Sequence, residues 1–105
     1  MRCRTCQPLP EEVARAAELL GRRWVLAILC ASSEAGAVRF NEFKQALETI
    51  PPRTLAARLA ELEAAGVLER QVLHTRPPRV EYRLTDTGRR LGALVDALRA
   101  YAAHT

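Results

Sequence analysis

The 105-residue chain predicts an α+β fold that is mostly helical, and three features carry that prediction. Residues 40–66 hold two apolar stripes at helical spacing, with only Glu48-Thr49-Ile50 to join them. Residues 67–84 change to the alternation of strands, interrupted by Thr75-Arg76-Pro77-Pro78-Arg79. Amphipathic helical stretches flank both. Two helices on a tight turn, followed at once by a hairpin, make a winged helix-turn-helix. The flanking helices are additions at its N- and C-terminal ends. The expected organisation is one domain over residues 1–105. Its parts are an N-terminal arm (1–9), a helix-turn-helix (40–66), a wing (67–84) and a C-terminal dimerisation helix (85–104).

In chain order, the arm comes first, with Pro8 and Pro10 bracketing Leu9. Glu11 and Glu12 suit the first turn of a helix, where negative charge meets the positive end of the dipole. That helix runs from about Pro10 to Leu20, with Val13, Ala16, Ala17 and Leu20 along one side, and Gly21 punctuates it. Arg22 and Arg23 lead into RWVLAILCASS, the most apolar stretch of the chain. A helix with so little polar face belongs at the centre of the core. Ser32 to Gly36 reads as a loop, and Val38-Arg39-Phe40 as a short strand.

Phe40, Phe43, Ala46 and Leu47 give the first helix of the central pair its apolar face. Pro51 and Pro52 then fix φ near −65° where a helix's first N–H groups have no intrahelical partner, so the second helix starts there. Leu55, Leu59 and Leu62 form its buried stripe, and Gly66 ends it. The opposite face carries Arg53, Thr54, Ala57, Arg58 and Glu61. Arginine forks, a hydroxyl and a small residue near a helix N-terminus suit a major groove.

Val67 to His74 and Val80 to Leu84 form the two strands of the hairpin, since paired prolines between them cannot continue a ladder. From Arg70 to Arg90 there are six arginines against two acids, so the wing is basic. Thr85 caps a last helix that continues to about Ala103. Leu91, Leu94, Val95, Leu98 and Tyr101 recur along it. This helix either packs on the chain's own core or, with the first helix, builds a dimer interface. DNA-reading modules usually pair to read two half-sites, which favours the dimer.

Composition narrows the function. The net charge is +4, and 15 of the 16 basic residues are arginine, which grips phosphate and guanine edges bidentately. No apolar run reaches the roughly 20 residues of a membrane span, and the first residues lack the apolar core of a signal peptide. The expected place is the cytosol, where thiols are kept reduced. Three cysteines, Cys3, Cys6 and Cys30, do not make a disulfide framework. Cys3-x-x-Cys6 is half a zinc site at most, and His74 and His104 do not complete it, so neither metal nor cofactor is expected. Arg2, Arg4 and a following helix N-terminus favour the Cys6 thiolate, whereas Cys30 reads as a small core residue. No nucleophile elbow or phosphate loop is present, and no enzyme is expected.

The wording also resembles a known family. RFNEFKQAL, then LAARLAELEAAGVLER, then RPPRVEYRLTDTGRRL are similar to the HxlR-type winged-helix regulators of bacteria, which are related to MarR-like regulators. LLGRRWVLAIL upstream matches as well, and the resemblance covers residues 6–104. It implies operator-DNA binding as a homodimer joined through the N- and C-terminal helices, and for several members a response to oxidants, electrophiles or quinones. Some members carry a reactive cysteine just before the first helix, and Cys6 occupies that place. The common Cys-Pro junction is Cys6-Gln7-Pro8-Leu9-Pro10 here. The usual Ile-Ser before the second helix is Ile50-Pro51, so a side-chain cap is replaced by the preset φ of Pro52.

The expected function is therefore a homodimeric, sequence-specific regulator of transcription that binds double-stranded operator DNA. Arg39, Pro52, Arg53, Thr54, Ala57, Arg58, Arg76, Pro77 and Arg79 form its DNA surface. Cys6 is the candidate redox sensor, for an oxidant or small-molecule effector. A winged-helix module that binds a protein instead of DNA is the alternative from the same fold.

Overall fold

A computed structural model describes residues 7–105. In chain order it has helices α1 (Glu11–Leu20) and α2 (Val25–Ala35), strand β1 (Ala37–Val38), helices α3 (Phe40–Ala46) and α4 (Pro52–Ala64), strands β2 (Leu68–Leu73) and β3 (Arg79–Leu84), and helices α5 (Asp86–Arg89) and α6 (Gly92–Ala103). The sheet is antiparallel, in the order β1-β3-β2. Ala37 pairs with Arg83 across β1 and β3, while Leu68 pairs with Leu84 and Leu73 with Arg79 across the hairpin. This is the expected mostly helical winged helix-turn-helix with a helix added at each end.

The core forms where the apolar stripes converge. Val25, Ile28 and Leu29 of α2, Phe43 of α3 and Leu55, Leu59 and Leu62 of α4 are all buried, together with Ile50, Val67, Leu68 and Val95. Phe43 meets Tyr82 of β3 edge-on at 6.3 Å between ring centroids. The central position predicted for α2 follows from this packing.

Two elements end differently from the sequence reading, and each has a local cause. Helix α2 continues through Ser32 to Ala35, where a loop was expected, because Ser32 is buried against the core. Gly36 (φ 83°) then stops it. The strand expected at Val38-Arg39-Phe40 is only Ala37–Val38, since Arg39 is already the N-cap of α3.

The last helix is two helices. Its spacing continues unbroken through Arg90 and Leu91, but the backbone tightens there, with Arg90 N–H bonded to Thr87 O at 3.2 Å and Leu91 N–H to Gly88 O at 3.0 Å. The short α5 is pinned from below. Thr85 N–H donates to Val67 O at 3.0 Å, and the Thr85 hydroxyl accepts from Gly88 N–H at 3.0 Å. A side-chain carbon at Gly88 would lie 2.2 Å from Val67 O, so only glycine fits.

The predicted apolar face of α6 is divided as a result. Val95 is buried on α2, Leu91 and Leu98 are half-buried, and Leu94 and Tyr101 stay 41% and 71% exposed. Arg99 fastens α6 to α2 by donating to Cys30 O at 3.1 Å. Helix α1 has an acidic first turn and a strongly one-sided apolar face, yet none of its residues is buried. Val13 is 46% exposed. Both flanking helices thus present apolar surface that the other described residues do not cover.

Candidate nucleic-acid interface

The basic surface comes from three places, the start of α4, the start of α3 and the wing tip, and falls into two parts. The first is the N-terminal end of α4. Pro51 is the N-cap with no side-chain cap bond, and Pro52 opens the helix, as its fixed φ allows. Burial of Leu55, Leu59 and Leu62 turns Arg53 and Ala57 outward, with Thr54 half-buried beside them. The helix ends at Ala65-Gly66, where Val67 N–H bonds Leu62 O and Gly66 N–H bonds Glu63 O. That is the paired bond of a Schellman stop, and Gly66 supplies its left-handed residue at φ 77°. The stop delivers the chain directly into β2 and the wing.

Arg58 does not share the exposed surface of Arg53. Its Nε donates to the carbonyl oxygen of Arg23 at 3.0 Å, and its Nη1 lies 3.1 and 3.3 Å from the Glu61 oxygens. Arg22 reaches the same carboxylate at 3.5 Å. The guanidinium expected in the groove is committed to holding α4 against the α1–α2 junction. The reason is proximity: Arg23 O is an exposed acceptor just past the end of α1, and a carboxylate three residues on completes the fork. At that junction Trp24 adopts φ 79°, and the Arg23 guanidinium sits 5.2 Å from its ring centroid.

The second part is a cleft of about 730 Å³ between the start of α3 and the wing tip. Arg39, Arg76, Pro77 and Arg79 all line it, so the structure brings together residues that lie up to 40 positions apart. The Arg39 backbone N–H donates to Glu42 Oε1 at 2.8 Å, and its side chain lies 3.7 Å from the same oxygen. At the tip, the Thr75 hydroxyl donates to Pro77 O at 2.7 Å, which closes the loop on itself. Among the described residues, Arg53, Arg76 and Arg79 make no ion pair.

Asn41, Gln45 and Thr75 also line this cleft and were not singled out from the sequence. Asn41 and Gln45 stand at i and i+4 on the side of α3 away from Phe43, a spacing that could have identified them. Arg23, which borders a smaller hollow with Thr49 and Thr54 beside the start of α4, was read only as a lead-in to α2. Cys30 is half-buried against the core. Cys3 and Cys6, the redox candidate among them, lie outside the described residues.

These features agree with what the chain is similar to. The family model described as HxlR-like helix-turn-helix matches residues 19–105. The uncharacterized HTH-type transcriptional regulator YvaP of Bacillus subtilis is 38% identical over 88 residues, covering 84% of this chain and 81% of that protein. The redox regulator HypR in its oxidized form superposes with a TM-score of 0.83 at 34% identity, over 90% of this chain and 96% of that one. Diamide-treated YodB from B. subtilis gives a TM-score of 0.76 at 34% identity, over 93% and 96%.

Proposed function

The chain belongs to the HxlR-like helix-turn-helix family of transcriptional regulators, and from that premise we propose that it binds double-stranded operator DNA as a homodimer. In this reading Arg53, Thr54 and Ala57 read base edges from the first turns of α4, with Pro52 presetting that turn. Arg39, Arg76, Pro77 and Arg79 hold the sugar–phosphate backbone that runs through the cleft. Arg58 positions α4 and reads nothing. The division is physical, because phosphate contacts fix register whereas base contacts carry sequence.

The observation that supports this most directly is the cleft itself. It gathers three arginines from two elements, and two of them have no acid partner among the described residues. A strongly anionic, extended partner fits such a groove. The homodimer is supported by the uncovered apolar residues of the flanking helices, Val13 on α1 and Leu94 and Tyr101 on α6. Sensing of oxidants through Cys6 is supported by the likeness to HypR, which is described as a redox regulator, and to YodB treated with diamide. The role is binding rather than catalysis, carried out on chromosomal DNA in the cytoplasm.

The test is selection of bound genomic fragments by the purified protein, reduced and diamide-treated. Enrichment of a few promoter fragments, lost on oxidation in the wild type and kept in Cys6→Ser, is the expected result. Recovery of fragments at random would contradict sequence-specific regulation. An equal diamide response in Cys6→Ser would remove Cys6 as the sensor.

A further inference from the structure

A further cleft, of about 260 Å³, opens between the end of α2, strand β3 and the start of α6. Ser32, Ser33, Gly36, Arg83, Arg89 and Gly92 line it. Three observations there converge. Ser32 is 1% exposed, and its hydroxyl has no hydrogen-bond partner among the described residues. A buried hydroxyl without a partner costs free energy, so it is kept where something pairs with it. Two guanidinium groups border the same space, and no acid lines it among the described residues. Glu81 stands 3.8 Å from Arg83, beyond hydrogen-bond length, while Arg89 is steadied by Asp86 and by Leu84 O. Finally, α6 begins at Gly92 without a side-chain cap, so its first-turn N–H groups have no side-chain acceptor.

A hydroxyl donor at the floor, guanidinium donors at the rim and an uncapped helix start all ask for an acceptor that carries negative charge. Leu84 adds an apolar wall. We propose that this cleft binds a small organic carboxylate, with the carboxylate oxygens shared between Ser32, the arginines and the start of α6, and the apolar body against Leu84. Phosphate is also an anion, but its dense second charge gains nothing from an apolar wall. An occupant would touch both β3 of the wing and α6, and so connect the two parts of the regulator that face DNA and the partner protomer.

The test is a nitrogen–proton NMR titration of the full chain with benzoate, and separately with inorganic phosphate and with the cationic isostere benzamidine. Benzoate is expected to shift the amides of Ser33, Gly36, Gly92 and Ala93 saturably, and benzamidine to leave them unmoved. Ser32→Ala is expected to weaken benzoate about tenfold, the value of one hydrogen bond to a charged group. A side-chain carbon at Gly92 meets nothing within 4 Å, so Gly92→Val fills the cleft without a clash and should abolish the shifts in a folded protein. Preference for phosphate, shifts scattered over all surface arginines, or benzoate affinity unchanged in both variants would overturn the assignment. Binding is read without DNA, so it stands or falls separately from the operator reading.

Discussion

Arg58→Ala separates a positioning arginine from a reading one. The side chain is only 21% exposed and makes two contacts, to Arg23 O at 3.0 Å and to Glu61 at 3.1 Å. The guanidinium–carbonyl bond is worth about 1 kcal/mol at this partly exposed site. The ion pair with Glu61 adds about 0.5 kcal/mol, because both groups keep some water. Removing the packed stem costs roughly another 0.5 kcal/mol. The sum, about 2 kcal/mol, corresponds to a fall in Tm of about 10 °C for a domain of this size. The assay is thermal denaturation followed by circular dichroism, beside Arg58→Met, which keeps the stem and should lose about three-quarters as much. Specific and random DNA should weaken in parallel in either variant, because α4 loses its anchor. A Tm within about 2 °C of wild type, together with relaxed sequence preference, would refute the reasoning and return Arg58 to the groove.

Other outcomes follow from the same geometry. Arg53→Ala should cost about 1–3 kcal/mol on the specific site and little on random DNA, read by competition gel shift. Arg79→Ala should weaken all DNA alike and flatten the dependence of log K on log salt by about one per protomer, read by anisotropy at several salt concentrations. Gly88→Ala should leave little folded protein, because the added carbon meets Val67 O at 2.2 Å in backbone that cannot yield, and solubility with circular dichroism checks it. Tyr101→Asp, at a position 71% exposed, should shift sedimentation from dimer toward monomer, and should lower Tm only by the stabilisation that dimerisation adds, so that Tm no longer depends on protein concentration.

What the sequence made legible was what depends on period and punctuation. Leu55, Leu59 and Leu62 show their face by spacing alone, and Gly66 and Pro52 mark the ends of α4 through backbone geometry that other residues resist. The hairpin was legible for the same reason. What stayed hidden depends on partners distant in sequence. Nothing around Arg58 announces a carbonyl 35 residues earlier, and helical spacing alone placed it beside Arg53. The break between α5 and α6 was hidden because the apolar spacing runs straight through it. Gly88 is required by Val67 O, 21 positions away, and not by any neighbour in the helix. The cleft of Arg39, Arg76 and Arg79 appears only when the hairpin folds back over α3, although each arginine was identified singly.

The most direct test of the central claim is a fluorescence-anisotropy titration of the protein against its selected promoter fragment and against a random duplex of equal length, at two salt concentrations. The account predicts tight, stoichiometric binding of one dimer to the promoter fragment, at least a thousandfold above the random duplex, with affinity for both falling steeply as salt rises. Equal affinity for the two duplexes, or no retention of either at low salt, would contradict it.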